Sequence, residues 1–360
     1  MTETIPARPW RLDRYRDGDE GAILELFRNV FGKSRSPEHW RWQFKDNPYG
    51  GPFVSLARRI DDGAVVGSYS VMPVMINVMG RAVLACQSVD TAVHPDHRGQ
   101  RVFEHTAGDC YAWCESSGVK AVFGFPNASS YPGFMRTLDW RRIGFPVRYA
   151  MRLEIGTVLR RVIGIPLLPG FADVLFRAGG HARLALRLRL LRRTIAPDTV
   201  FRIATSVPDG YDAFWNACRS QEVLSVWKDA DYLRWRYDRN PDHRFTYFYL
   251  ARGDRILALA VGVEIEGALA LCELLVGGHD LPAGQRLALE LCLHARGAGM
   301  KAVSFLGFDA GAFDDILVGF GRRRSYSNVF CGRSFDAGVL QELLPHAANW
   351  TVTFGDGDFV

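Results

Sequence analysis

No stretch of this 360-residue chain approaches the roughly 20 apolar residues that cross a bilayer as a helix. The opening segment, Met1 to Glu20, is polar with scattered arginine and lacks the apolar middle of a secretion signal. Cysteine is scarce: Cys86, Cys110, Cys114, Cys218, Cys272, Cys292 and Cys331 make an odd count with no Cys-x-x-Cys pair. Most lie in apolar stretches, so they read as buried thiols of a reducing cytoplasm rather than a disulfide framework. The nine histidines fall into no zinc spacing, and His94 and His97 simply flank a loop proline, so no metal is expected. Charge of one sign is also lacking. Lys plus Arg is 44 against 39 acidic residues, a net +5 too mild to call for nucleic acid. Disorder is excluded by 48% hydrophobic and 12% aromatic residues, enough to build real cores.

What is present is length for two domains and an internal repeat. Trp40-Arg41-Trp42-Gln43-Phe44 with Asn47-Pro48 returns as Leu233-Arg234-Trp235-Arg236-Tyr237 with Asn240-Pro241, at a constant separation of 193 positions. Three β-rich runs joined by tight Gly or Asn turns follow each copy: 53–60, 65–75 and 82–93, then 246–251, 256–263 and 269–276. Each meander leads into a helix stopped by glycine (Gly118, Gly299) and then a buried strand. A helix also precedes each Trp motif. Ile23, Leu24, Phe27, Val30 and Phe31 give the first one an apolar face, and Gly32 ends it.

Repeats of this length imply duplicated domains, not a solenoid. The expected division is 1–155, a helical connecting segment over 156–200 and a second domain over 201–360. The fold class is α/β with mixed sheets, two similar domains in tandem. The duplicated Trp/Arg motifs read as anchors of each meander rather than as a stacking platform for a sugar, since a specific site need not occur twice. Arg183, Arg187, Arg189, Arg192 and Arg193, like Arg322 to Arg324, read as solvated faces.

Chemistry concentrates between Gln87 and Phe103. A strand ends near Val93, Pro95 breaks it, a basic loop with Gly99 follows, and a helix begins near Val102. Strand, basic loop and helix start form an anion-binding arrangement: unsatisfied N–H groups and the positive helix end favour a phosphate. Arg98 and Arg101 add forked donors.

The segment resembles the acetyl-CoA-binding motif of the GNAT superfamily of N-acyltransferases, Arg/Gln-x-x-Gly-x-Gly/Ala. Arg98-Gly99 fits its start. Arg101 replaces the first motif glycine and Phe103 the last small residue. If the loop needs only a backbone N–H at 101, arginine serves there; if it needs a positive φ, arginine is strained. The former is the expectation. The resemblance, closest to a two-domain branch of the superfamily, implies acetyl-CoA or another acyl-CoA as co-substrate and a small-molecule or peptide amine as acceptor. It implies cofactor contacts from Thr91, Ala92, Val93, Arg98, Gly99, Gln100, Arg101, Val102, Phe103 and Asn127, and a fourth strand splayed from a fifth at 121–125. No transmembrane segment or nucleic-acid partner is expected, and a homo-oligomer remains open.

An amine acceptor with pKa ~10.4 costs roughly 4–5 kcal/mol to deprotonate at pH 7, which a carboxylate base offsets. Asp90, on the strand beside the thioester, is the candidate; alternation places it on the face of Ser88 and Ala92. A solvent-facing aspartate is the competing reading, and His94 and Glu104 are lesser candidates. Tyr131 is the candidate acid for the departing thiolate, against a packed aromatic beside a Pro-Gly turn; Met135 takes the position where the family often has the tyrosine. The second copy, Gly278 to Arg286, lacks Arg-x-x-Gly and is expected to have lost the cofactor. Two other readings stay open: an aminoacyl-tRNA-dependent peptide-bond former of paired GNAT-like fold, and a non-catalytic CoA-binding or regulatory scaffold.

Overall fold

The computed structural model describes residues 8–154, 182, 184–191, 194–308, 313–324 and 328–357. The connecting stretch 156–181 and Arg183, Arg192 and Arg193 lie outside them. In chain order the first half runs β1 (Trp10–Arg14), α1 (Glu20–Phe31), α2 (Pro37–Phe44), β2 (Phe53–Arg59), β3 (Val65–Val78), β4 (Arg81–Val93), α3 (Val102–Ser116), β5 (Ala121–Gly124), α4 (Tyr131–Thr137), β6 (Arg141–Gly144) and β7 (Pro146–Arg152). The second runs β8 (Thr199–Ala204), α5 (Tyr211–Arg219), β9 (Leu224–Val226), α6 (Ala230–Leu233), β10 (Thr246–Arg252), β11 (Arg255–Ile265), β12 (Ala268–Val276), α7 (Leu281–Gly297), β13 (Ala302–Phe308), β14 (Gly321–Arg324), β15 (Phe330–Ser334), α8 (Val339–Leu343) and β16 (Trp350–Thr351).

The two meanders are antiparallel, and each fourth strand meets the fifth in parallel, β4 with β5 and β12 with β13. The strand orders are β1-β2-β3-β4-β5-β15-β6 and β14-β7-β13-β12-β11-β10-β8. Along these paths each sheet takes one strand from the other half of the chain. β15 pairs with β5, and β7 is inserted between β13 and β14. The compact units accordingly do not follow one cut in the sequence. One gathers the described residues among 1–143, 239–242 and 327–346; the other gathers those among 144–238, 243–326 and 347–360. The expected single boundaries at 155 and 200 miss this exchange, because the strands that leave their half carry ordinary β composition and no local mark of destination.

Local chemistry explains the repeat. Asn47 Oδ1 accepts from the Tyr49 N–H at 2.8 Å and Asn240 Oδ1 from the Asp242 N–H at 3.0 Å, the same side-chain turn ahead of each meander. Trp40, Trp42 and Trp235 are buried, so the Trp motifs are anchors. In α1 the buried face is Ile23, Leu26 and Phe27, and Gly32 ends the helix in the left-handed region at φ 66°. In the first unit Tyr69, Val71, Cys86, Cys110, Phe134 and Trp140 share a core. In the second, Leu250, Leu271, Leu287, Leu291 and Phe305 do so, joined by Leu184 and Leu188 from the helical stretch 184–191. All seven cysteines are buried free thiols. No helix among the described residues is long and apolar enough to cross a membrane.

The second unit also buries a charge cluster. Lys228 Nζ donates to Glu273 Oε2 at 2.5 Å and to Thr353 Oγ1 at 2.7 Å, and lies 2.9 Å from Asp356 Oδ1. Burial alone would pull the Lys228 pKa down; the Asp356 and Glu273 charges outweigh it and hold the ammonium. Glu222 is close enough to feel these charges. Burial raises its pKa to about 7, opposed by Ser225 and the Lys228 charge and reinforced by the charges of Asp356 and Glu273.

Above its ordinary 4.5, Glu222 ionises in the unfolded chain before it does in the folded one. Stability is therefore expected to fall as pH rises from 4.5 to about 7, and Glu222→Gln to remove that part of the slope. Urea melts of both proteins across that window check this; parallel pH profiles would refute it.

Candidate active site

β4 reaches the site through a bulge. Ser70 pairs with Val89 and Ser68 with Ala92, so Asp90 and Thr91 together oppose the single residue Tyr69. Asp90 takes a left-handed φ of 51°, which aspartate tolerates better than most residues. The bulge corrects the expected alternation: with one residue too many, Ala92 shares the face of Val89, and Asp90 is re-aimed. Its carboxylate binds Arg35 Nη1, from the turn before α2. The same Nη1 donates to Gln43 Oε1 at 3.1 Å. Asp90 is thus an ion-paired, nearly buried group rather than a solvent-facing sheet residue. Beyond the bulge, Ala92 and Val93 return to the ladder against Ser68 and Gly67.

On its other edge β4 pairs with β5 only at Cys86–Val122 and Gln87–Phe123. Past those residues the ladder ends, with Gly124 still against Ser88, so the bulge lies just beyond the paired part of β4. The fifth strand is Ala121–Gly124, within the expected 121–125.

After Val93 a short turn over Pro95–His97 leads through Arg98 and Gly99 (φ 76°) to Arg101, the N-cap of α3. Arg101 sits at φ 59° and ψ 21°. The loop does require a left-handed residue here, contrary to the expectation that only the N–H matters. Its guanidinium is exposed and bound back to Glu104, so it does not fill the loop. No side chain caps α3. The first-turn N–H groups of Val102, Phe103 and Glu104, which no helix can satisfy internally, point out of its start beside the exposed Arg98.

The motif side chains are packing groups. Val102 is buried against Gly67, where a Cβ would lie 2.3 Å from its Cγ1. Phe103 packs on Phe134 at 5.3 Å and on Tyr69 at 5.9 Å, with Gly133 too close beneath for an ordinary Cβ. These small residues seat the helix start against β3 and α4. Gln100 takes a local role, its amide oxygen 3.3 Å from His97 Nδ1.

Asn127 is exposed after β5. Its Oδ1 accepts from the Ser129 and Ser130 N–H groups at 3.0 Å each, and its backbone is bridged to Asn328. Tyr131 opens α4, half-buried with Met135 on the Tyr69–Phe134 core, and its hydroxyl bonds to no other described residue. His94 turns to the Asp96 N–H, and Glu104 to Arg101.

Four features escaped the sequence. Arg35 is the partner of Asp90, and Gln43 holds it. His39 Nδ1 is tied to Asp242, a residue of the second half that belongs to the first unit. Burial, then the Arg35 charge, lowers the His39 pKa against the pull of Asp242. Finally, Trp140 Nε1 donates to Tyr111 OH at 2.8 Å, Tyr111 meets Tyr69 OH at 2.6 Å, and Tyr69 meets Ser88 Oγ at 2.9 Å, a buried chain ending on β4 beside the bulge. Only the polar residue types could have hinted at it, since its members lie far apart in sequence.

A family model for an acetyltransferase (GNAT) domain matches residues 11–143. No curated protein matches the sequence. Among solved structures, a probable N-acyltransferase of Enterococcus faecalis V583 superposes with TM-score 0.63 at 11% identity, covering 90% of this chain and 72% of that one. A GCN5-related N-acetyltransferase of Anabaena variabilis gives 0.62 at 7%, covering 94% and 75%, and one of Kribbella flavida 0.59 at 14%, covering 91% and 71%. At these identities the likeness is one of fold.

Gly67→Ala is expected to destabilise the protein by roughly 1–3 kcal/mol through overpacking against Val102, and Val102→Ala in the same chain to restore most of the loss. Thermal or urea melts of the two variants check this; a neutral Gly67→Ala would mean α3 is not seated on β3 as described.

Proposed function

With residues 11–143 matching a GNAT acetyltransferase domain, we propose that the chain is a GNAT-superfamily, acyl-CoA-dependent N-acyltransferase, with acetyl-CoA as the donor, that acylates a primary amine by direct attack in a ternary complex. The observation that carries this reading is the joint placement of the bulged Asp90, the end of the β4–β5 ladder just before it, and the uncapped α3 that follows Arg98. Fit to the donor rests on that uncapped turn: main-chain N–H groups and Arg98 suit a diphosphate, and the one bulky charged side chain in the loop, Arg101, turns away to Glu104.

In this proposal Arg98 to Phe103 hold the diphosphate, chiefly through backbone N–H groups. Thr91, Ala92 and Val93 offer main-chain groups to the pantetheine arm and to the oxyanion, and Asn127 meets the arm through its amide nitrogen. Asp90 accepts the proton of the incoming ammonium. Tyr131 returns a proton to the departing thiolate. The second unit is proposed to take no cofactor. Its corresponding helix α7 is capped by Asp280, which accepts from the Ala283 N–H at 3.1 Å, so a carboxylate already occupies the place an anion would need. The loop with Arg98 favours CoA over an aminoacyl-tRNA donor, and seven free buried thiols suit a reducing cytoplasm.

Titration with CoA by calorimetry is expected to give saturable binding that Arg98→Ala weakens about tenfold. Asp90→Asn is expected to lower kcat roughly 100-fold without changing CoA affinity. No binding at millimolar CoA, or full turnover by Asp90→Asn, would sink the proposal.

A further inference from the structure

The internal repeat separates what both copies keep from what one copy has alone. Ser36 and Asp229, 193 positions apart, are the N-caps of α2 and α6; each accepts from the N–H three residues on, His39 at 3.0 Å and Tyr232 at 2.9 Å. The residue before each cap is a cation, Arg35 in one copy and Lys228 in the other. Asn47 and Asn240 hold the turns that follow, one through the N–H of Tyr49 and the other through that of Asp242. At these matched places the backbone plan is shared and two side chains are not. His39 stands where the second copy has Tyr232, and Asp242 where the first has Tyr49. Yet His39 Nδ1 and the Asp242 carboxylate, one from each copy, are bound to each other inside the first unit. A bond that the repeat does not duplicate is no anchor of the common plan.

Three observations place this pair at the site. His39 and Gln43 are four residues apart, on one face of α2. Gln43 Oε1 and the Asp90 carboxylate meet on the same nitrogen of Arg35. The Arg35 and Asp90 charges both act on the His39 ring. The ring itself is held, with Trp42 edge-on at 5.2 Å and Asp242 on Nδ1. Asp242 is fixed in turn through its backbone N–H, which donates to Asn240 Oδ1 at 3.0 Å. An aspartate on Nδ1 keeps the ring hydrogen there and leaves the lone pair on Nε2. That nitrogen makes no hydrogen bond among the described residues, and the side chain is 16% exposed, so it is sheltered yet reachable. Burial, then the Arg35 charge, holds the pKa below the ordinary 6.5, so the ring is neutral at pH 7. Asp242 then balances the charge once a proton arrives.

Direct attack takes two protons from an ammonium acceptor, one before the nitrogen can attack and one after the C–N bond has formed. Asp90 receives the first in the reading above. We propose that His39 Nε2, held by the Asp242 carboxylate, receives the second. This rests on the acyltransferase reading and deepens it: His39 is a catalytic residue of the same site, and Asp242 is its positioning residue. The neutral nitrogen attacks the thioester carbonyl, and the C–N bond forms as the carbonyl electrons move onto oxygen. The adduct nitrogen, now cationic, passes a proton to His39. The carbonyl re-forms, the C–S bond breaks with its electron pair on sulfur, and Tyr131 protonates the thiolate. His39 returns its proton to Tyr131 through solvent, and Asp90 releases the other. One ammonium and one thioester give one amide, one thiol and one free proton.

Thiol release from acetyl-CoA with the full-length protein and a panel of primary amines, followed from about pH 5 to 8, tests this. For amines that turn over, kcat is expected to fall on the acid side as His39 becomes protonated. Nitrogen-15 NMR of the His39 ring should give the same midpoint. His39→Gln is expected to lower kcat about a hundredfold and to abolish that limb, with CoA affinity unchanged. Asp242→Asn removes a charge that favours the imidazolium, so it is expected to move the limb and the NMR midpoint together to lower pH. Asp242 is 44% exposed, so this second variant keeps the test decisive should His39→Gln fail to fold. Full turnover by His39→Gln, a limb that persists without His39, or a limb that Asp242→Asn leaves in place would each overturn the proposal. Calorimetry with CoA on the same preparations separates the two readings. CoA binding and amine turnover that His39→Gln leaves intact remove His39 and keep the transferase. Absence of turnover with every amine, whether or not CoA binds, removes both.

Discussion

The first unit is organised around one irregularity, the extra residue in β4 opposite Tyr69. A regular ladder would have kept Ser88, Asp90 and Ala92 on one face and carried β4 alongside β5. The bulge instead re-aims Asp90 toward Arg35, just beyond the last β4–β5 pair at Phe123. A carboxylate this enclosed is stable only with a partner, and the partner comes from the turn before α2, so the Trp-motif helix and the fourth strand are held to each other by charge as well as by packing. Gly67 and Gly133 then let the start of α3 settle close against β3 and α4.

Duplication followed by divergence accounts for the contrast between the units. Both kept the Asn-Pro turn, the buried tryptophan and the cation before the helix cap. They parted at two places. The helix after the meander starts uncapped at Arg101 in one copy and under the Asp280 carboxylate in the other. The ion pair is partly exposed in one copy and sealed by Thr353 and Asp356 in the other. These are changes of a few residues laid over a retained backbone plan.

The repeat, the meanders, the helix stops and the mixed α/β class were legible in the sequence because they depend on local periodicity and on glycine and proline punctuation. The loop from Arg98 to Phe103 was legible because its residues are contiguous. The left-handed Arg101 was not, since composition favours glycine there and does not reveal when arginine tolerates the strain. The bulge was hidden because one surplus residue leaves the alternation of Ser88 to Val93 looking intact. Arg35, His39, Asp242 and the Tyr69–Tyr111 chain were hidden because they meet only through the fold. The destination of β7 and β15 was hidden because an ordinary amphipathic strand carries no address.

Reciprocal exchange of β7 and β15 sets a limit on how the gene can be divided. A fragment cut between the halves would keep β5 without β15, and its complement would keep β13 without β7, each with a naked hydrogen-bonding edge in the middle of its sheet. Either fragment alone is then an invitation to aggregate, while the two together are each other's missing piece. The tandem arrangement is in this sense an obligate partnership written into one polypeptide, and it gives each copy a structural reason to be retained whatever chemistry it carries.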